Sequence, residues 1–511
     1  MKLSLLLEAV PVVRFDGRED EVIQSIHYDS RTVTPGGLFV AIQGQRLDGH
    51  AYIEEAIEKG AVAIMTEHEW SKPSSVSVVQ VENARLGLAA LSSAFYGEPH
   101  REVRMIGITG TNGKTTTAYL VESILNAAGL EPGVIGTINY RFGGRSFPNP
   151  VTTPESLDLM RLLRRMADNG STHVVLEVSS HGLDLHRVAY CEFDVGVFTN
   201  LSRDHLDYHH DMETYWRCKK ELCVGRLGVG SKQGQAKAVI NWDDPRGKEL
   251  FDEVAVPCLR IGFAQACEIR AQDVKLSIDS TSGSVHTPQG AFAFTSPLVG
   301  THNVYNILTA TGVAVALGLP LGTIQKGIEA LEGVPGRLQA VPNDLGLFVF
   351  VDYAHTPDAL ENVLGVLKGL TPGRLITVFG CGGDRDREKR PMMGQAAGRL
   401  SDLAVLTSDN PRTESPEAIL ADVVKGTAVA QSHRYDPDAL KEGFEAGGYV
   451  VVSDRKTAIA LGLRSARSGD TVVIAGKGHE TYQILGETTI PFDDREEARA
   501  VLDTLAAGRK Q

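Results

Sequence analysis

The sequence predicts an α/β chain of three domains, the larger two built on mostly parallel sheets. Its 511 residues give about three domains at roughly 150 residues each. Short apolar runs alternate with amphipathic stretches of helical period, the pattern of strands joined by covering helices. Run after run also ends in a cluster of Gly, His, Arg and Asp, and open α/β sheets bind ligands outside the carboxyl ends of their strands. Polar turns at Glu98-Pro99-His100-Arg101 and Pro335-Gly336-Arg337 put the boundaries at 1–101, 102–336 and 337–511.

Residues 1–101 read as a small α/β domain, with apolar runs at 38–42, 61–65 and 76–81 among helical stretches. The opening MKLSLLLEAVPVV reads as mature sequence, because Glu8 breaks the apolar run and no small-residue cleavage site follows. In the middle segment the run 105–108 leads into Gly110-Thr111-Asn112-Gly113-Lys114-Thr115. The run 173–176 leads into Glu177-Val178-Ser179-Ser180-His181-Gly182, and 195–198 into Thr199-Asn200-Leu201-Ser202-Arg203-Asp204-His205. Residues 235–300 read as short strands with Gly and Ser turns, a β-rich annex. In the last segment four runs end at Asp352-Tyr353-Ala354-His355, Gly380-Cys381-Gly382-Gly383-Asp384-Arg385, Asp409-Asn410-Pro411-Arg412 and Gly476-Lys477-Gly478-His479-Glu480.

Lys plus Arg is 51 against 64 Asp plus Glu, a formal charge of −13, which argues against a general nucleic-acid binder. A composition 42% hydrophobic and 23% charged is too apolar for disorder. No stretch approaches the roughly 20 apolar residues of a membrane helix, so no membrane insertion is expected. Six cysteines without metal spacing are sparse for this length and suit a reducing cytoplasm. Positive potential for anionic ligands is expected to be local, at Lys114, Arg187, Arg337, Arg385 and Arg412.

The loop at 110–115 sits between a strand and a helix whose Leu120, Val121, Ile124, Leu125 and Ala128 keep a 3.6-residue period. Glycines let backbone N–H groups curl round phosphate oxygens, and the helix N-terminus adds partial positive charge. Lys114 can neutralise outer phosphates and the Thr115 hydroxyl can ligate Mg²⁺. The spacing is short, with two residues between Gly110 and Gly113 where the commoner loop has four. Glu177, at a strand's carboxyl end, can reach the same Mg²⁺. Taken alone, His205 reads as a loop histidine and Lys219 as a solvated helix charge.

The run from Thr199 to His209, with Tyr215 and Lys219 after it, resembles the Mur ligases. The short phosphate loop, Glu177 with Ser179-Ser180-His181-Gly182-Leu183, and Gly300-Thr301-His302-Asn303 match too. The resemblance implies a UDP-binding N-terminal domain, a central P-loop-type ATPase domain and a Rossmann-like amino-acid-binding domain. It implies an ATP- and Mg²⁺-dependent amide ligase acting through an acyl-phosphate in peptidoglycan precursor synthesis, and hence in cell-wall biogenesis, cell shape and division. The expected substrates are UDP-N-acetylmuramoyl-L-alanyl-D-glutamate and meso-2,6-diaminopimelate, and a monomer is expected. Alternatives are an L-lysine-adding member and a folylpolyglutamate synthetase-like ligase. A nucleotide-switched binding protein that hydrolyses ATP is a rival of another class.

Residue by residue, the resemblance implies that Lys219 is carbamylated and, with Thr115, Glu177 and His205, holds metal. An ammonium cannot ligate Mg²⁺, whereas a carbamate offers oxygens on a long stem. ATP would meet Gly110, Thr111, Asn112, Gly113, Lys114, Thr115 and Thr116, with His302, Asn303 and Asn306 near adenine, Arg337 on phosphate and Asp352 on ribose. Ser30, Thr152, Thr153, Ser179 and Arg187 would hold the UDP-muramoyl-peptide. Arg385, Asp409, Asn410, Pro411, Arg412, Gly476 and Glu480 would hold diaminopimelate, with Arg412 gripping its distal carboxylate in a fork. His181, His205 and His355 stay open as acceptors of the amine proton. Four positions depart from relatives: Gln45-Arg46 where some carry His-Gln, Val151 where Asn is common, and Leu185 where a Gln occurs.

Overall fold

Strands that are apolar along their whole length need cover on both faces, which parallel sheets obtain from their crossover helices. The computed structural model has this form throughout, and the chain is an α/β protein with mostly parallel sheets. It describes residues 1–44, 47–70, 75–149 and 151–509; Gln45 and Arg46 lie outside the described residues. Internal packing divides the chain into two units. One comprises Met1–Arg270, His286–Phe292 and Tyr305–Gly327; the other comprises Ala271–Val285, Ala293–Val304 and Ile328–Gln511.

The first unit holds two sheets. The smaller has the order Val12–Asp16, Ser77–Val81, Ala61–Thr66, Gly37–Val40, Ser25–His27, with only the first strand antiparallel. Period-two alternation sends Ala63 and Met65 to one face and Ile64 to the other. Helix Ala84–Phe95 covers the first face with Leu88 and Leu91, joined by Leu3 and Leu6 from the start of the chain. Helix Ile53–Glu58 covers the second with Ile53 and Ala56.

The larger sheet includes, in order, Cys258–Gly262, Lys237–Asn241, Val195–Phe198, Arg104–Thr109, His173–Glu177, Pro132–Ile135, all parallel, then the antiparallel pair Asn139–Phe142 and Arg145–Pro148. Arg104–Thr109 is central. Its register sets Ile108 beside Glu177 and Thr109 beside Phe198, so three carboxyl ends finish level. The expected annex at 235–300 is corrected in its first part, where Lys237–Asn241 and Cys258–Gly262 extend the main sheet. The crossover between them is helix Pro245–Glu253, capped by Asp244, which is polar enough to read as loop. Only from Ile269 onward do short strands follow one another, at Ile269–Leu276, Thr281–Thr287 and Gly290–Ser296.

The second unit's six-stranded sheet runs Gln339–Ala340, Phe348–Asp352, Thr471–Ala475, Leu375–Cys381, Leu403–Ser408, Gly448–Val451, parallel apart from the first strand. Phe350, Phe379, Leu406 and Val473 face helices Pro357–Leu370, Lys389–Leu400 and Pro416–Ala430. Val351, Val378, Val405 and Ile474 face helices Arg455–Arg464 and Asp494–Arg509. Both faces are buried, so the loops at the strand ends are where polar chemistry can be exposed.

Candidate active site

Strand Arg104–Thr109 ends at Gly110, whose φ of 140° only glycine adopts easily. A Cβ there would collide with the Thr199 hydroxyl, so the loop lies against the end of the neighbouring strand. The loop closes at Gly113, with φ 88°, and helix Lys114–Ala127 begins. Its free N–H groups and dipole point at the space above the strands. Lys114 Nζ donates to the carbonyls of Gly110 and Thr111, both at 2.8 Å. Asn112 N donates to Asn200 Oδ1 at 2.9 Å, and Asn306 lies beside Gly113 and accepts from Thr117. Thr115 and Thr116 are buried in the first helical turn.

Glu177 is buried and held from two sides. Thr115 Oγ1 donates to its Oε2 at 2.9 Å, Thr137 Oγ1 to the same oxygen at 2.8 Å, and Thr137 N to Oε1 at 3.1 Å. A Cβ on Gly136 would run into this carboxylate. Thr152 Oγ1 lies 3.1 Å from Thr137 Oγ1. Thr153 Oγ1 donates to the Glu177 carbonyl at 2.9 Å, lies 3.0 Å from Ser179 Oγ and accepts from Ser179 N. Ser179 caps helix Ser180–Asp184, and Arg187 donates to the Thr153 carbonyl at 2.9 Å. Four of the five residues that sequence assigned to the UDP-muramoyl-peptide, Thr152, Thr153, Ser179 and Arg187, therefore form one shelf beside Glu177.

Lys219 comes from helix Met212–Val224 and is buried, its Nζ donating to the Gly110 carbonyl at 2.7 Å and lying 4.5 Å from the Tyr215 ring centre. Burial, with the Lys114 charge nearby, pushes its pKa well below that of an ordinary lysine. His205 is half-exposed, in the left-handed region at φ 52°, with Nε2 3.5 Å from Asp204 Oδ2. Its ring meets His181 edge-on at 5.1 Å, and burial holds His181 down at about 4. Hard oxygen donors at Thr115 and Glu177, next to a helix N-terminus, suit Mg²⁺ beside phosphate. Among the described residues no group of three His, Cys, Asp or Glu is placed to hold a metal. Lys219 can complete such a set only as a carbamate.

In the second unit Asp352 accepts from Leu338 N and Ala354 N, at 2.7 and 2.8 Å. The Arg337 guanidinium lies 4.9 Å from the Tyr353 ring centre, and Asn303 Nδ2 donates to the Val299 carbonyl. His302 lies in helix Thr301–Ala316. At the carboxyl edge of the six-stranded sheet, Asp409 and Asn410 are buried, and Asn410 Nδ2 donates to Glu480 Oε2 at 2.9 Å. Arg412 sits at φ 52°, and its Nη1 donates to the Gly383 carbonyl at 2.8 Å. A Cβ on Gly383 would collide with the Pro411 carbonyl, and one on Gly476 would press on Asp409 at 2.9 Å. Arg385 is exposed, with Nη1 on the Asp384 carbonyl. Ser30, in the small sheet's domain, is buried and donates to Glu55 Oε2 at 2.9 Å.

Three family models cover successive stretches of the chain: Mur ligase family, catalytic domain, at 22–96; Mur ligase middle domain at 108–314; and Mur ligase, glutamate ligase domain, at 336–478. The chain is 49% identical, over 95% of each chain, to UDP-N-acetylmuramoyl-L-alanyl-D-glutamate--2,6-diaminopimelate ligase of Geobacter metallireducens. It is 46% identical to the protein of that name from Geobacter sulfurreducens, over 99% of this chain and 100% of the other. The chain belongs to the Mur ligase family. A solved structure of a ligase with the same name, 33% identical, superposes with a TM-score of 0.70 over 99% of this chain and 100% of the other. A MurF ligase from Thermotoga maritima in complex with ADP, 20% identical with a TM-score of 0.62 over 96% of this chain and 100% of the other, shares the fold.

Two residues beside the candidate side chains, one in each unit, escaped the sequence reading. Thr137 follows an ordinary glycine at a strand end, and no spacing marks it. Lys477 stands in a cluster that was noticed, but a lysine between two glycines reads as a loop charge. It is fully buried, with Nζ 3.1 Å from Asn410 Oδ1 and 3.0 Å from Glu480 Oε2.

Proposed function

We propose that this Mur ligase joins meso-2,6-diaminopimelate to UDP-N-acetylmuramoyl-L-alanyl-D-glutamate at the expense of ATP. The observation that carries the reading is the 49% identity, over 95% of both chains, to a ligase named for that reaction. The loop Asp409-Asn410-Pro411-Arg412 supports it chemically: a guanidinium suits a distal carboxylate, which lysine lacks. The proposed division of labour is 1–101 for UDP, 102–336 for ATP and the peptide acid, and 337–511 for the incoming amino acid. The proposed location is the cytoplasm and the proposed active form a monomer.

A carboxylate is a poor electrophile, so it must first acquire a leaving group. Ser179, Thr152, Thr153 and Arg187 orient the D-glutamyl end toward the loop at 110–115. A γ-carboxylate oxygen attacks the γ-phosphorus, the bond to the β-phosphate oxygen breaks, and ADP leaves. Lys114 and the amides at the start of helix Lys114–Ala127 offset charge growing on the phosphoryl oxygens. Thr115, Glu177, His205 and carbamylated Lys219 would hold Mg²⁺, which when bound supplies further positive charge to those oxygens. Burial and Lys114 lower the Lys219 pKa, which favours the free amine whose electron pair attacks CO₂ to give the carbamate, a proton passing to solvent. Arg412, Asn410 and Glu480 hold the distal end of diaminopimelate so that its α-amine meets the acyl carbon. The tetrahedral intermediate expels phosphate, the amide remains, and a histidine or water takes the amine proton. Holding amine and acyl-phosphate together supplies ~7–11 kcal/mol of the barrier.

The test is phosphate release with ATP, the UDP-muramoyl-dipeptide and either diaminopimelate or L-lysine. Release that needs the dipeptide and diaminopimelate together supports the reading. Release with lysine alone, or release indifferent to the amino acid, would overturn it.

A further inference from the structure

Lys477 is a fully buried ammonium at the centre of the polar cluster on the carboxyl edge of the second unit's sheet. It touches both loops proposed to grip the distal end of the amino acid. Its Nζ donates to Asn410 Oδ1 at 3.1 Å and to Glu480 Oε2 at 3.0 Å, and lies 3.6 Å from Asp409 Oδ1. The Tyr482 ring closes one side, with its centre 5.5 Å away.

These contacts fix which atoms remain for a ligand. An isolated asparagine amide can flip, exchanging donor for acceptor. Here Oδ1 accepts from Lys477 Nζ and from Ile484 N, at 3.1 and 3.0 Å, so the flip is blocked. Nδ2 is then committed to Glu480 Oε2, at 2.9 Å. That oxygen already accepts from Lys477, so the carboxylate is anchored through one oxygen and Oε1 is the one left to receive an outside donor. The same arrangement holds the loop through Gln483, whose Nε2 donates to the Asp409 carbonyl at 2.7 Å. Below it, the buried Arg455 guanidinium donates to the carbonyls of Ser408 and Ala475, the last strand residues before Asp409 and Gly476. The floor is thus braced from the strands, while Lys477 bonds to both Asn410 and Glu480 and fixes the direction of the direct bond between them.

We infer that Lys477 is a positioning residue that sets amino-acid specificity: by locking the Asn410 amide and one oxygen of Glu480, it presents a single carboxylate oxygen to the distal ammonium of a diamino diacid while Arg412 takes that centre's carboxylate. Two fixed groups of opposite charge, with the chain that leads to the reacting α-centre as a third fixed direction, define a handed site. It therefore distinguishes the two configurations of a distal amino-acid centre, not merely its presence. This inference rests on the proposed reading of the reaction.

The experiment compares the parent enzyme with Lys477→Met and Lys477→Gln, measuring phosphate release with ATP, the UDP-muramoyl-dipeptide and either meso- or LL-diaminopimelate. The parent alone tests the reading, since diaminopimelate-dependent release must appear there first. In Lys477→Met the KM for meso-diaminopimelate rises about 10- to 100-fold, the loss of hydrogen bonds to a charged group. The KM values for ATP and the UDP-sugar stay within about threefold, and the preference for meso over LL shrinks by a similar factor. Lys477→Gln, which keeps a donor without the charge, falls between the two. An unchanged KM and isomer preference would overturn the inference. So would an equal loss toward all three substrates, or failure of both variants to fold, because the residue would then serve the fold alone.

Discussion

Lys219 Nζ donates to the Gly110 carbonyl oxygen at 2.7 Å, so a lysine from one helix is clamped against the first residue of the phosphate loop. That oxygen also accepts from Lys114 Nζ at 2.8 Å. Two amines share one carbonyl, and burial together with Lys114 disfavours charge on the deeper one. A neutral amine in that position is what carbamylation requires. Lys219→Ala is expected to lower the rate of phosphate release about a hundred- to a thousandfold, in line with losing one charge-stabilising group. Added formate or acetate should restore part of it by supplying the missing carboxylate. Full activity in the unsupplemented variant would dispose of the metal-ligand role.

Arg412→Lys keeps a positive charge and loses the planar fork. The KM for diaminopimelate should rise about 10- to 100-fold while that for ATP holds. Steady-state kinetics with each substrate varied in turn checks this, and a defect shared equally by all substrates would remove Arg412 from the amino-acid site.

Arg455 and Asp494 form a fully buried pair, with Nε–Oδ1 at 2.8 Å and Nη2–Oδ2 at 2.7 Å. Removing one partner leaves the other charge stranded. Asp494→Ala should cost about 3–5 kcal/mol in urea unfolding of the transition that reports the second unit.

Glu414 accepts from Arg390 at 2.7 Å and from Asp384 N, and these bonds, Arg390's first, lower its pKa from 4.5 to about 2. A carboxylate depressed on folding stabilises the native state fully above its unfolded value. The contribution is lost as pH falls from about 4.5 toward 2. The stability gap between the parent and Glu414→Gln should therefore be widest at neutral pH and narrow across that window. A gap constant with pH would contradict it.

Much of this was legible because local chemistry announced it. The strand, two glycines, lysine and threonine at 105–115 each impose a distinct backbone or charge requirement, and the helix at Lys114–Ala127 keeps its apolar period to the end. The parallel sheet at the C-terminal end was equally legible, since apolar runs such as Leu375–Cys381 admit no exposed face. Helix Pro245–Glu253 was hidden by its polar surface, and with it the place of the strands it joins in the main sheet. Thr137 and Lys477 were hidden for another reason: each acts through a partner more than a dozen residues away, Glu177 and Asn410, and only the order of strands in the sheet brings their carboxyl ends together.

The central claim is that ATP converts the peptide's own carboxylate into an acyl-phosphate before the amine arrives. The most direct measurement places heavy oxygen in the D-glutamyl γ-carboxylate and reads the released phosphate by phosphorus NMR or mass spectrometry. The predicted result is one labelled oxygen in each phosphate, carried over when the amide forms. Unlabelled phosphate alongside normal amide formation would contradict it.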